Sequence, residues 1–455
     1  MANVKHFGAT GDGKTDDTAA FEHALKMGDG LLEVPRGDYV LTRSLVVPLD
    51  KLGRFSMIGL GGQARLLMKS AGPALHLIGT HDRTADPSHF RDSVWQRERF
   101  PTLSHIEIVG DHPEADGVRI EGTMQSTLSH VLIRRCRYGV HLVKRARNVI
   151  LDGCHIYHCR QIGIYFDHVN LHQTNIYGCH ISYHPRAGIY IEGSEVRNLQ
   201  ICGNDIEYNY DDKLQGCADI LLDCREGTIR EGTIVGNTVQ ARESPGGANI
   251  RLLGAGPENP NAVGMLAING NLLGSQETVL HLVACRGVSV TGNVIYSGYR
   301  YAIRAEDCVN LTVTGNSFDY NSDYKGLSTD GVLFERCRQL VLQGNVQVHT
   351  LKGKEALAAS WVFRKCREVV IGGCQLVSGY RRGILLEECQ EFLIHGCRVA
   401  AGPDVKEYLA SIAADEKCRK LLISANLVAR GSTGAIVVPA QAGQVVSNLE
   451  LEPAG

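Results

Sequence analysis

Asp167, Glu192 and Asp223 each close a short apolar-rich segment: GIYFD, GIYIE and DILLD. Two residues before each carboxylate stand Tyr165, Tyr190 and Leu221, and the same place in the preceding segment, GVHLV, is His141. Carboxylates, an imidazole and phenols at recurring places are the parts of proton-transfer chemistry. Arg119 and Arg251 fall in the His/Tyr column, and Arg186 just ahead of one segment. Two reactions fit. Glycoside hydrolysis uses two carboxyls, about 6.5–9.5 Å apart for inversion and about 5–5.5 Å for retention. Elimination from a uronate uses a base for the proton beside its carboxylate and a cation to meet that carboxylate. His141, Tyr165 and Tyr190 offer the base; Arg119, Arg186 and Arg251 offer the cation.

These groups share a site only if their segments stack. The phrase apolar, any, apolar, any, Gly, then Asn or Cys recurs from Cys136 to Asn426, at intervals of 18 to 34 residues. Its apolar period is two, which excludes helical repeats and signals a solenoid of short strands. The pattern predicts an all-β fold, a single-stranded right-handed parallel β-helix of about 12–13 coils. Stacked strands lie about 4.8 Å apart, so Asp167 and Glu192 are one spacing apart, and Asp167 and Asp223 two, about 9.6 Å. Three stacked carboxylates repel and raise at least one pKa. Eight of sixteen tyrosines fall between 138 and 210, which places the candidate groove on this stretch. Tyrosine rings suit the apolar faces of sugars.

Cysteine follows the same repeat. Cys136, Cys154, Cys179, Cys374 and Cys397 occupy the Asn/Cys rung, and Cys285, Cys308, Cys337, Cys366 and Cys389 a second slot. Such placement predicts stacked reduced thiols rather than a disulfide framework. Residues 1–48 read as an N-terminal cap and first coil, with a capping helix over 15–27 that starts at Thr15. Residues 49–439 read as the β-helix and 440–455 as a C-terminal cap or tail. Residues 80–102, with Trp95, form a long polar loop, expected to wall a glycan cleft beside Tyr165 and Tyr190.

A net charge of −2 and a pI near 6.8 give no electrostatic reason to expect nucleic acid. No apolar run is long enough to cross a bilayer, and MANVKHFGAT lacks the form of a signal peptide. No motif calls for a cofactor or metal; Asp211 and Asp212 could meet calcium, with a solvated turn as the default. In CHIYHC (154–159), strand alternation sends the Cys and His residues to opposite faces, against zinc.

FGATGDGKTDDTAAFEHAL followed by GLLEVPRGDYVL resembles the opening of the pectate-lyase-like superfamily, which includes rhamnogalacturonase- and epimerase-like β-helices and phage tailspikes. The resemblance implies the fold and a polysaccharide or oligosaccharide as substrate. The polygalacturonase signature set is not found. Alginate epimerases place an Asp at one strand end and an Arg before the next coil's Gly; Asp167 and Arg186 stand there. The expectation is a polysaccharide lyase on an acidic, uronate-containing glycan. An inverting glycoside hydrolase and a non-catalytic, tailspike-like glycan-binding β-helix are the alternatives. No membrane partner is expected, and the chain would act as a monomer or homotrimer. Free cysteines favour a reducing compartment, whereas the resemblance favours export.

Overall fold

The structure is a computed structural model that describes residues 2–83, 87–324, 329–348, 357–403 and 405–451. It divides into two units, residues 1–233 and 234–455. Both are parallel β-helices. In the first unit one turn comprises Tyr138–Asp152, bent after Val143, and then His155–Tyr157. In the second a turn comprises Thr278–Val283, Cys285–Thr291 and Val294–Tyr296. Each turn thus has three legs, and every leg pairs in parallel with the same leg of its neighbours.

Among the described residues the third leg recurs eight times in the first unit and nine in the second, giving about 17 turns rather than 12–13. The earliest turns lack the Asn/Cys rung, and the last turn carries it at Asn448, beyond the Cys136–Asn426 span. The corners use left-handed backbone: Lys144 and His168 (φ 58° and 47°) bend the first leg into the second, and Gly153 or Gly178 (φ 57° and 60°) the second into the third. Ile164, Phe166, Ile189, Ile191, Ile220 and Leu222 are fully buried, as period-two alternation requires.

The rung is a hydrogen-bonded ladder. Asn293 Oδ1 accepts from the Asn271 backbone N (3.0 Å) and Nδ2 (2.9 Å), while Asn293 Nδ2 donates to Ile268 O (2.9 Å). Cys179 and Cys397 use the same slot, each donating its backbone N to the next Asn. Cys136 does not. It follows Leu132–Arg134, a third leg, and so sits at the next corner, beside Cys159. Its interval of 18 residues was the clue, being too short for a full turn. All fifteen cysteines are free and all but Cys202 are buried. In the second slot, backbone N–H groups point at the next sulfur, as from Cys285 to Cys308 (3.5 Å) and from Cys308 to Cys337 (3.4 Å).

The N-terminal helix spans Thr18–Met27 and buries Phe21, Ala24 and Leu25, Phe21 edge-on to Tyr39 at 5.4 Å. Thr15 is not its cap. Asp12 folds onto Lys14 N and Thr15 N (both 2.8 Å), and Asp16 accepts from Thr18 N (3.0 Å).

Candidate functional site on the first leg

The first legs of five turns set the register. Arg119 pairs with His141, His141 with Tyr165, Tyr165 with Tyr190, and Tyr190 with Leu221. Two residues on, Val143 pairs with Asp167, Asp167 with Glu192, and Glu192 with Asp223. Both columns lie as the repeat alignment predicts.

The rings do not offer their faces to a sugar. His141 stacks on Tyr165 at 5.2 Å and 6°, and Tyr165 on Tyr190 at 5.5 Å and 25°. Tyr138 packs against both His141 and Tyr165 at 5.0 Å. Arginines close both ends: Arg137 lies 4.7 Å over Tyr138 and Arg186 5.7 Å over Tyr190. His141, Tyr165 and Tyr190 are therefore each under a tenth exposed. What remains for a ligand is polar edges. The expected stacking role of the tyrosines gives way to hydrogen bonding.

Asp167 is gripped by two imidazoles, His141 Nε2 at 3.0 Å and His168 Nδ1 at 2.8 Å. Burial pushes its carboxyl up, but these bonds outweigh burial and hold it below the usual range. The predicted repulsion therefore does not raise Asp167. Burial lowers the His141 pKa despite Asp167, so the ring is neutral. We assign its proton to Nε2, facing Asp167, because Nδ1 is buried without a partner. His168 is more than half exposed, and its hydrogen bond to Asp167 raises its pKa. Gly193 follows on the next turn, where a Cβ would lie 2.6 Å from His168 Cδ2 and push the ring aside.

The Tyr165 hydroxyl donates a short hydrogen bond to Glu192 Oε2. Burial, then that bond, drives the Tyr165 pKa up, so the phenol keeps its proton. Tyr190 is pushed up to about 12, by burial and then by the Glu192 and Asp223 charges. Asp223 is buried and held by Arg225, with Nε at 2.8 Å and Nη2 at 2.5 Å.

The remaining expected residues scatter. Arg119 Nε is 3.9 Å from Glu121, which His76 Nε2 (3.1 Å) and Lys144 Nζ (2.5 Å) already hold. Arg186 donates to Gln215 O at 3.2 Å. Arg251 lies in the second unit, nine-tenths buried, with Nε on His281 Nδ1 at 3.1 Å. Trp95 stacks on Phe90 at 6.0 Å under Arg99, and Phe90 meets Arg147 on the second leg. Through Phe90 the loop thus meets the second leg. Asp211 accepts from Lys213 N (2.7 Å) and Leu214 N (3.1 Å), closing a turn. Among the described residues no group of three or more His, Cys, Asp or Glu could hold a metal ion.

Two family models match the chain. Residues 1–69 match rhamnogalacturonase A/epimerase, pectate lyase-like, and residues 102–239 match right handed beta helix region. The chain resembles the pectate-lyase-like superfamily in its fold and its opening residues. No curated protein matches. Solved structures similar to this chain include Geobacillus virus E2 ORF18 (14% identity, 76% of this chain and 60% of that one, TM-score 0.45). Another is tailspike protein 3 of bacteriophage CBA120 (13% identity, 98% and 61% covered, TM-score 0.42). A third is the A-module of the Azotobacter vinelandii mannuronan C-5 epimerase AlgE6 (13% identity, 100% of both chains, TM-score 0.39). The chain spans about 60% of the length of the first two.

Proposed function

We propose that this chain acts on a polysaccharide, and that its first-leg site cleaves an acidic, uronate-containing glycan by elimination. The observation that carries the reading is the pair of proton-handling couples on adjacent turns, Tyr165–Glu192 and His168–Asp167. Glu192 is the base for the proton beside the uronate carboxylate. Tyr165, which keeps its proton until then, gives it to the departing glycosidic oxygen, and Glu192 passes its newly gained proton back to Tyr165. His168, its positive form favoured by Asp167, meets the uronate carboxylate. His141 and Tyr190 wedge the couples in place through their stacked rings. The family description matched by residues 1–69 supports a carbohydrate substrate.

Inverting hydrolysis fits less well. It would pair Asp167 with Asp223 across two turns, but Asp223 is committed to Arg225 and Asp167 is held ionised, so no acid is supplied. Incubation with polygalacturonate, polymannuronate and a neutral glucan tests the reading. An unsaturated uronate chromophore that disappears in Tyr165→Phe is expected. Reducing ends without that chromophore would replace elimination by hydrolysis.

A further inference from the structure

At Lys144 the site's strand turns into its second leg, and there the charge balance changes. Arg147 pairs in register with His172, and His172 with Arg197, while Arg145 flanks the column. Around the first leg most basic groups have carboxylate partners: Arg137 has Asp116, Lys144 has Glu121 and Arg225 has Asp223, while Arg186 donates to Gln215 O. On the second leg, Arg197 reaches Glu195 at 3.3 Å, but Arg145 and Arg147 have no ion pair among the described residues. Arg145 Nη1 donates to Arg83 O at 2.5 Å, and Arg147 lies 4.9 Å over the Phe90 ring with Nη1 buried and unpartnered. Burial alone lowers the Arg147 pKa, which accords with a cation lacking a counter-charge.

A half-buried guanidinium without a carboxylate partner among the described residues is unfavourable as it stands and is relieved by an anion that meets the part of its fork open to solvent. Its flat fork suits a planar carboxylate. We infer that Arg145 and Arg147 form a subsite for a second carboxylate of an acidic glycan, roofed by Phe90 of the 80–102 loop. The strip begins at the bend that ends the Asp167 column's own strand, so a chain lying on the first leg continues onto it. This inference rests on the acidic-glycan half of the proposed function, not on the elimination chemistry.

The test measures binding of polygalacturonate and polymannuronate oligomers, with a neutral glucan oligomer of equal length, by calorimetry at two salt concentrations. Arg147→Gln and Arg145→Gln should each weaken uronate binding about tenfold and flatten its salt dependence. The neutral oligomer should bind no differently to wild type and variants. Unfolding transitions verify that each variant is folded, and either one alone suffices to decide. Uronate affinities within twofold of wild type in a folded variant, or no uronate binding by the wild type, overturn the subsite. Reducing ends released from the uronate polymers without the chromophore sink the elimination reading while leaving the subsite standing.

Discussion

Tyr165 places one oxygen where chemistry is proposed and uses the rest of its ring as packing. Tyr165→Phe keeps the stack between His141 and Tyr190 and removes only the donor. Turnover should fall about 10²–10⁴-fold, with a nearly unchanged melting temperature because Glu192 is only partly buried and can be rehydrated. His168 makes a pH-dependent prediction. Its raised pKa means that uronate binding weakens as pH climbs through that value, and His168→Asn should erase this alkaline limb of the pH profile. The couple also has a stability signature. Asp167, lowered in the fold, contributes fully above the unfolded value of about 4 and loses this as pH falls through its folded value. His168, raised, contributes below about 6.5 and loses this as pH rises through its folded value. The melting-temperature deficit of His168→Asn should therefore be largest near pH 5 and shrink toward pH 8. The carboxylate and Tyr columns were legible in the sequence because strands alternate. His168 was not: a left-handed residue ends the alternation there, and no period-two rule says where its side chain turns.

At the scale of elements, the rung ladder is the feature most open to a single substitution. Asn293→Ala leaves Asn271 N and Nδ2 without their acceptor and Ile268 O without its donor. A loss of about 1–3 kcal/mol is expected from the unsatisfied groups. Asn293→Cys should cost less, since other turns already fill the slot with a thiol that donates to a carbonyl, as Cys179 Sγ does to Tyr177 O at 3.3 Å. Denaturant unfolding of the two variants, compared at equal slope, measures the difference. The repeat announced this ladder through Gly followed by Asn or Cys. It did not separate one Cys corner from another, which is why Cys136 was misplaced: both corners are a left-handed residue followed by a small buried one. Nor could periodicity aim the 80–102 loop, which has no period; its course follows from Phe90 meeting Arg147 and from Glu98, buried, accepting from Thr80 N and Oγ1 at 2.7 Å each.

For the molecule taken whole, turn upon turn of the same three legs was readable because each turn repeats the pattern, while the number of turns was not, since the first ones omit the marker. The free, buried thiols have a consequence for measurement. Seven fall in residues 1–233 and eight in 234–455, and all but Cys202 are buried in the folded state. An alkylating reagent should therefore modify Cys202 at most in the native protein and all fifteen after denaturation without reductant. At low denaturant, each further label becomes a time-stamped record of a local opening. Mass spectra of partly labelled chains would show whether the two units come apart together or one ahead of the other. Labels appearing in all-or-none sets within a unit would mark it as cooperative, and a ragged spread would mark peeling from one turn to the next. The protein thus comes with a built-in clock for its own unravelling, needing no introduced probe.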